Sequence, residues 1–174
     1  MTGLVFVDTN VLLYALDSRE GSKHRFASDW MGRLWRERTG RTSVQVLSEF
    51  FVNATRKLSP GLPREQAWEQ VVALSAWDPQ AIDFPVLQIG MEVQSRHGLS
   101  WWDSLVVAAT HRQGCGTLLT EDLQHGAVYA GVTVLSPFHT GVQEARQHCA
   151  PQLAPPLPRG RGRPRKTAAT DGSL

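Results

Sequence analysis

The sequence predicts an α/β domain with a central, mostly parallel sheet flanked by helices. Three observations carry that expectation. Short apolar runs rich in β-branched residues, Leu4-Val5-Phe6-Val7, Thr117-Leu118-Leu119-Thr120 and Val132-Thr133-Val134-Leu135, are bounded by polar or turn residues, as buried parallel strands are. Between the first two lie segments whose apolar residues recur at helical spacing. At 174 residues and 41% hydrophobic, the chain is long enough for one domain with a sizeable core.

The elements follow in order. Leu4–Val7 reads as a strand, Asp8-Thr9-Asn10 as a turn with capping residues, and Val11–Leu16 as a short helix. Lys23–Arg38 places Phe26, Ala27, Trp30, Met31, Leu34 and Trp35 on one helical face. Arg41-Thr42-Ser43 supplies a cap for a helix over Val44–Lys57, with the stripe Leu47, Phe50, Phe51 and Ala54. Ser59-Pro60-Gly61-Leu62-Pro63 breaks that helix, and Arg64–Trp77 is the next, opening just after Pro63 and closed by Asp78-Pro79. Ala81–Asp83 admits a short strand before a helix from Pro85 to about His97. Trp101–Gln113 is a strongly apolar helix, closed by Gly114-Cys115-Gly116. No internal repeat is visible.

Charge is unevenly placed. The net charge is +2, yet five of the 18 Lys+Arg lie in Arg159–Lys166; without residues 159–174 the chain carries 13 basic against 15 acidic side chains. From about Pro151 onward, Pro, Gly, Arg and small polar residues dominate, a composition expected to stay disordered. Residues 1–140 are thus the expected folded domain and 141–174 a C-terminal extension. Cys115 and Cys149 show neither disulfide nor zinc spacing. With no membrane-spanning run or basic-led signal peptide, the expectation is a soluble cytoplasmic protein.

Four carboxylates stand at element boundaries or on a helix shoulder. Asp8 and Asp122 each follow a buried strand, at the carboxyl edge where open α/β sheets bind ligands. Glu121 adjoins Asp122, but only one of the two is expected to face the same crevice. Glu49 falls between stripe positions of its helix, and Asp103 opens the most apolar helix. Each has a structural alternative. Asp8 and Asp122 are good cap or turn residues, Asp103 completes a capping box with Ser100, and Glu49 would suit an ion pair with an arginine at the core rim. If the four converge, their repulsion requires a cation. Oxygen donors without a Cys or His pattern select a hard ion, Mg²⁺ or Mn²⁺. Such an ion suits phosphodiester hydrolysis, where it activates water and stabilises the leaving oxygen. No phosphate loop and no Ser-His-Asp arrangement is legible, and Asn10 stands where an aspartyl phosphotransferase would carry a second Asp.

VFVDTNVLLYAL, VQVLSEFFVNATRK, LSWWDSLVVAATHRQGC and LLTEDLQHG occur in that order. Together with the closing VTVLSPF they resemble the motifs of PIN-domain ribonucleases, in particular the VapC-type toxins of toxin–antitoxin pairs. The likeness runs from about Val5 to Phe138. It implies a PIN-like three-layer sandwich and carries the family's acids onto Asp8, Glu49, Asp103 and Asp122. Asn10 and Thr120 fall at supporting positions. Ser136 replaces the Asn of the family's usual Asn-Pro-Phe ending. The resemblance also implies a Mg²⁺- or Mn²⁺-dependent endoribonuclease acting on an RNA substrate, a homodimer, and inhibition by a cognate antitoxin. On the residues themselves, Asp8, Asp103 and Asp122 are the expected ion ligands, directly or through water. Glu49 is expected to position a water, with Asn10, Thr120 and Ser104 hydrogen-bonding carboxylates or phosphate oxygens.

Two further features invite nucleic-acid readings. Trp101 and Trp102 flank Asp103; core packing is expected for one, while the other is open to base stacking. Arg161-Gly162-Arg163-Pro164, followed by Arg165 and Lys166, resembles an AT-hook that inserts arginines into a narrow A·T-rich minor groove. The alternative is a basic tail that binds any polyanion by counterion release. The competing functional classes are a DNA-directed nuclease and a non-catalytic nucleic-acid-binding protein.

Overall fold

The computed structural model describes residues 3–139. The expected C-terminal extension, Cys149 and the basic residues Arg161, Arg163, Arg165 and Lys166 lie outside them. Strand β1, Val5–Val7, stops at Asp8, whose side chain accepts from the Thr9 N–H and caps helix α1, Thr9–Leu16. That cap starts the helix earlier than Val11, so Asn10 rides on its first turn. Helix α2, Ser22–Glu37, ends at Arg38 in a left-handed conformation that returns its N–H to the Leu34 and Trp35 carbonyls. Helix α3, Val44–Arg56, is capped by Ser43. Helix α4, Arg64–Leu74, passes into a 3₁₀ turn at Ser75–Trp77. Helices α5, Phe84–His97, and α6, Trp101–Arg112, pack on one another.

Two strands escape sequence reading: β2, Gly40–Arg41, and β4, Val128–Tyr129. With β3, Thr117–Leu119, and β5, Val132–Leu135, they complete a five-stranded sheet among the described residues, in the order β2-β1-β3-β5-β4. All neighbours are parallel except β4 against β5. The strand admitted at Ala81–Asp83 does not form. Gln80 makes an isolated bridge to Ser43, and Asp83 instead caps α5, accepting from the Val86 N–H at 3.1 Å. A capping carboxylate commits its residue to the helix entry rather than to a strand.

The sheet positions the site. Val5, Phe6 and Val7 pair with Thr117, Leu118 and Leu119, so Asp8 and Thr120 emerge together at the same carboxyl edge. Phe6, Val7, Leu118, Leu119 and Val134 are fully buried beneath it, and Phe50, Val46 and Ala54 on α3 close the core from the side. Trp101 is half-buried against Val86, Leu105 and Ala108, whereas Trp102 is 62% exposed. The pair therefore divides between core and surface.

Gly40 matters for packing rather than for backbone freedom. A Cβ there would stand 2.5 Å from Cε2 of the buried Trp77, whose ring lies tilted 47° to that of Trp35 with centroids 5.1 Å apart. At Gly90 a Cβ would press only on the end of Leu105, at 2.9 Å from Cδ2, with the Trp101 ring at ordinary contact distance, 3.6 Å. A rigid indole cannot yield as a leucine methyl does, and helical Gly→Ala is intrinsically favourable. In urea melts, Gly40→Ala is expected to lose about 1–3 kcal/mol. Gly90→Ala should stay within about 1 kcal/mol of the parent.

Candidate active site

The four acids line one cleft. Its walls include Asp8, Asn10, Gln45, Glu49, Asn53, Trp102, Asp103 and Asp122, around a volume of about 150 Å³. Asp8 arrives from the end of β1, Asp122 from just beyond β3, Glu49 from the side of α3 and Asp103 from the first turn of α6. Among the described residues no Lys, Arg or His lines this cleft.

Asp8 is the deepest of them, with 7% of its surface exposed. One carboxylate oxygen accepts from the Thr9 N–H at 2.7 Å; the other accepts from the Thr120 hydroxyl at 2.7 Å and from the Asn10 amide at 3.4 Å. Asn10 Nδ2 also donates to Thr120 Oγ1 at 3.0 Å and to Asp122 Oδ2 at 2.9 Å. Thr120 Oγ1 in turn accepts from the Asp122 N–H at 3.1 Å. Asn10 and Thr120 thus tie two carboxylates together without neutralising either. Burial above all, with the charges of Asp122 and Glu49, pushes the Asp8 carboxyl up to about 6 against the hydrogen bonds from Thr120 and Thr9 that lower it.

Among the described residues, Glu49 pairs with no arginine. It accepts from Gln45 Nε2 at 3.1 Å and weakly from the Thr9 hydroxyl at 3.4 Å. Asp103 makes one half of a capping box: its N–H donates to Ser100 Oγ at 3.1 Å, while its Oδ2 accepts from that hydroxyl at 2.6 Å rather than from the Ser100 N–H. Capping and facing the cleft are therefore compatible at this residue. Ser104 stands apart from the cleft, fully buried with its hydroxyl donating to the Ser100 carbonyl at 2.7 Å. Thr9, Gln45, Asn53 and Trp102 join the lining. Gln45 was signalled only by its place one turn before Glu49; nothing in the sequence singled out Thr9, which links α1 to α3.

Among the described residues, no three or more His, Cys, Asp or Glu side chains stand close enough, as placed, to hold a metal ion between them. The acids instead face one another across the cleft, so an ion between them would be reached partly through water. The donor set suits a hard divalent cation. It is all oxygen, it concentrates negative charge, and the buried Oδ1 of Asn10 and Oε1 of Gln45 have no hydrogen-bond partner.

The PIN-domain family model matches residues 5–130. No curated protein sequence matches the chain. Several solved structures share the fold. A chain of a toxin–antitoxin complex from Klebsiella pneumoniae is 19% identical, with a TM-score of 0.56 over 78% of this chain and 99% of that one. VapBC2 from Rickettsia felis, bound to a DNA fragment from its promoter, is 17% identical, with a TM-score of 0.54 over 75% and 96%. VapC20 of Mycobacterium tuberculosis, a sarcin–ricin loop cleaving toxin, is 20% identical, with a TM-score of 0.50 over 66% and 86%.

The raised Asp8 carboxyl sets a pH dependence. Its folded value of about 6 lies above the ordinary aspartate value of 3.8, so between those values the folded state holds the proton more tightly. Stability from this group is present below about pH 4 and is lost as pH rises to about 6. Without divalent ions, Asp8→Asn should therefore be more stable than the parent at pH 7.5, by about 2–3 kcal/mol. The difference should vanish near pH 3.5. Urea melts at the two pH values check the sign.

Proposed function

This chain belongs to the PIN-domain family, and from that footing we propose that it is a divalent-metal-dependent endoribonuclease, the toxin of a toxin–antitoxin pair. The observation that carries the reading is the cleft itself: Asp8, Glu49, Asp103 and Asp122 on one surface, with no basic side chain among its described lining. Four facing carboxylates are a poor structural device and a good cation site. A likeness to a sarcin–ricin loop cleaving toxin and to toxin–antitoxin complexes supports RNA as substrate and an antitoxin as partner.

Asp8, Asp103 and Asp122 would hold Mg²⁺ or Mn²⁺, directly or through water. When bound, the ion supplies Lewis-acid activation of water and charge neutralisation at the phosphodiester. Glu49, on the solvent side of the cleft, orients the attacking water and accepts its proton. Asn10 and Thr120 fix the Asp8 and Asp122 carboxylates relative to one another. Cleavage by water in this arrangement leaves 5′-phosphate and 3′-hydroxyl ends. The protein works as a cytoplasmic homodimer restrained by a small antitoxin.

The Arg161–Lys166 segment favours a second nucleic-acid activity, since its Arg-Gly-Arg-Pro core matches an AT-hook. In this reading the tail binds A·T-rich DNA while the body cuts RNA. The alternatives, a DNA-directed nuclease and a non-catalytic binder, separate by substrate and by chelation.

With purified RNA and DNA, cleavage of RNA should require Mg²⁺ or Mn²⁺ and stop with EDTA. Asp8→Asn and Asp103→Asn should each lower the rate by about 100-fold or more. Ser104→Ala, away from the cleft, should stay within about twofold of a parent-like fold's rate. Cleavage by Asp8→Asn at the parent rate would sink the assignment. In gel shifts, removing residues 151–174 should abolish binding to A·T-rich duplexes; equal binding of the full chain to G·C-rich duplexes would reduce the tail to a charge effect.

A further inference from the structure

Lys23 lies outside the acid cleft, in the first turn of α2. Its ammonium donates to Glu121 Oε2 at 2.6 Å and to the Tyr14 hydroxyl at 3.0 Å. The Tyr14 hydroxyl donates to the other oxygen of Glu121. The same ammonium sits 4.4 Å from the Tyr14 ring centroid and 5.2 Å from that of Phe138, and the two rings meet edge to face at 5.1 Å. Both carboxylate oxygens of Glu121 are thereby held, by two residues far from it in sequence.

Glu121 immediately precedes Asp122. The turn that carries them is pinned at consecutive residues: Thr120 to Asp8, Glu121 to Lys23 and Tyr14, Asp122 to Asn10. We propose that Lys23, acting through Glu121 and Tyr14, is a positioning residue that sets the Asp122 carboxylate in the acid cleft and keeps that of Glu121 out of it. This role rests on the metal-dependent reading of the cleft. The physical reason is charge. The Glu121 side chain is only 24% exposed, so without the ammonium its carboxylate is left part-buried and uncompensated. The cheapest relief is for the turn to move and solvate it. Because Asp122 is the next residue along, that movement carries Asp122 away from Asn10 and Asp8.

Lys23→Met removes the cation and keeps the aliphatic stem against Tyr14 and Phe138; Lys23→Arg restores a cation. Mn²⁺ titration calorimetry on metal-free protein gives a readout separate from turnover, and thermal melts verify folding. Lys23→Met is expected to bind Mn²⁺ about 10–100-fold more weakly. On RNA it should lower kcat with KM within about threefold, and Lys23→Arg should recover most of both. A folded Lys23→Met protein with parent-like Mn²⁺ affinity would overturn the role while leaving the nuclease reading intact. Should Lys23→Met fail to fold, Glu121→Gln tests the same link, and unchanged Mn²⁺ affinity there overturns it equally. A parent protein that binds no Mn²⁺ would overturn the metal-dependent reading and this role with it.

Discussion

The structure is organised around one carboxylate that the fold buries and does not neutralise. Asp8 ends a strand whose neighbours are fully buried, and its charge faces those of Asp122 and Glu49 with only neutral donors around it. A charge in that position costs free energy unless something positive arrives. The parallel register of β1 and β3 makes the arrangement unavoidable. It brings Thr120 to the same edge as Asp8, and the turn after Thr120 delivers Asp122. Helices α3 and α6 then supply Glu49 and Asp103 from the side. No single element makes the cleft; the sheet edge does.

Several of these side chains serve both the fold and the cleft. Asp8 caps α1 through the Thr9 N–H, and Asp103 makes half of a capping box with Ser100. Neutral hydrogen bonds of this kind orient a carboxylate without cancelling its charge. Asn10 and Thr120 show the same economy: the Asn10 amide donates to both carboxylates, and the Thr120 hydroxyl donates to Asp8 while accepting from the Asp122 N–H. A lysine in either place would have stabilised the protein and filled the site with its own cation. The cation that does approach, Lys23, is held outside by Glu121 and Tyr14.

Much of this was legible in the residues. The long helices declared themselves by apolar spacing, and Asp8, Asp103 and Asp122 by standing where an apolar run meets a turn. Glu49 was legible as a residue off its helix's buried stripe. What stayed hidden was short or distant. Gly40–Arg41 and Val128–Tyr129 are two-residue strands, too brief for any period to register, and exist because neighbours pair with them. Asp83 illustrates the opposite case, where a residue fitting a strand is claimed by a helix entry. The Lys23–Glu121 contact spans 98 residues, and no local pattern in the sequence joins its two ends. Ser104 sits beside Asp103 in sequence, but one step around a helix turns its hydroxyl inward.

If the proposed function is right, the cleft holds a divalent ion among Asp8, Asp103 and Asp122, with Glu49 beside it. The most direct measurement is an anomalous difference map from crystals of the full chain grown with Mn²⁺. The account predicts a peak inside the cleft, bounded by Asp8, Asp103 and Asp122. Manganese bound only elsewhere on the molecule, with the cleft holding water alone, would contradict it.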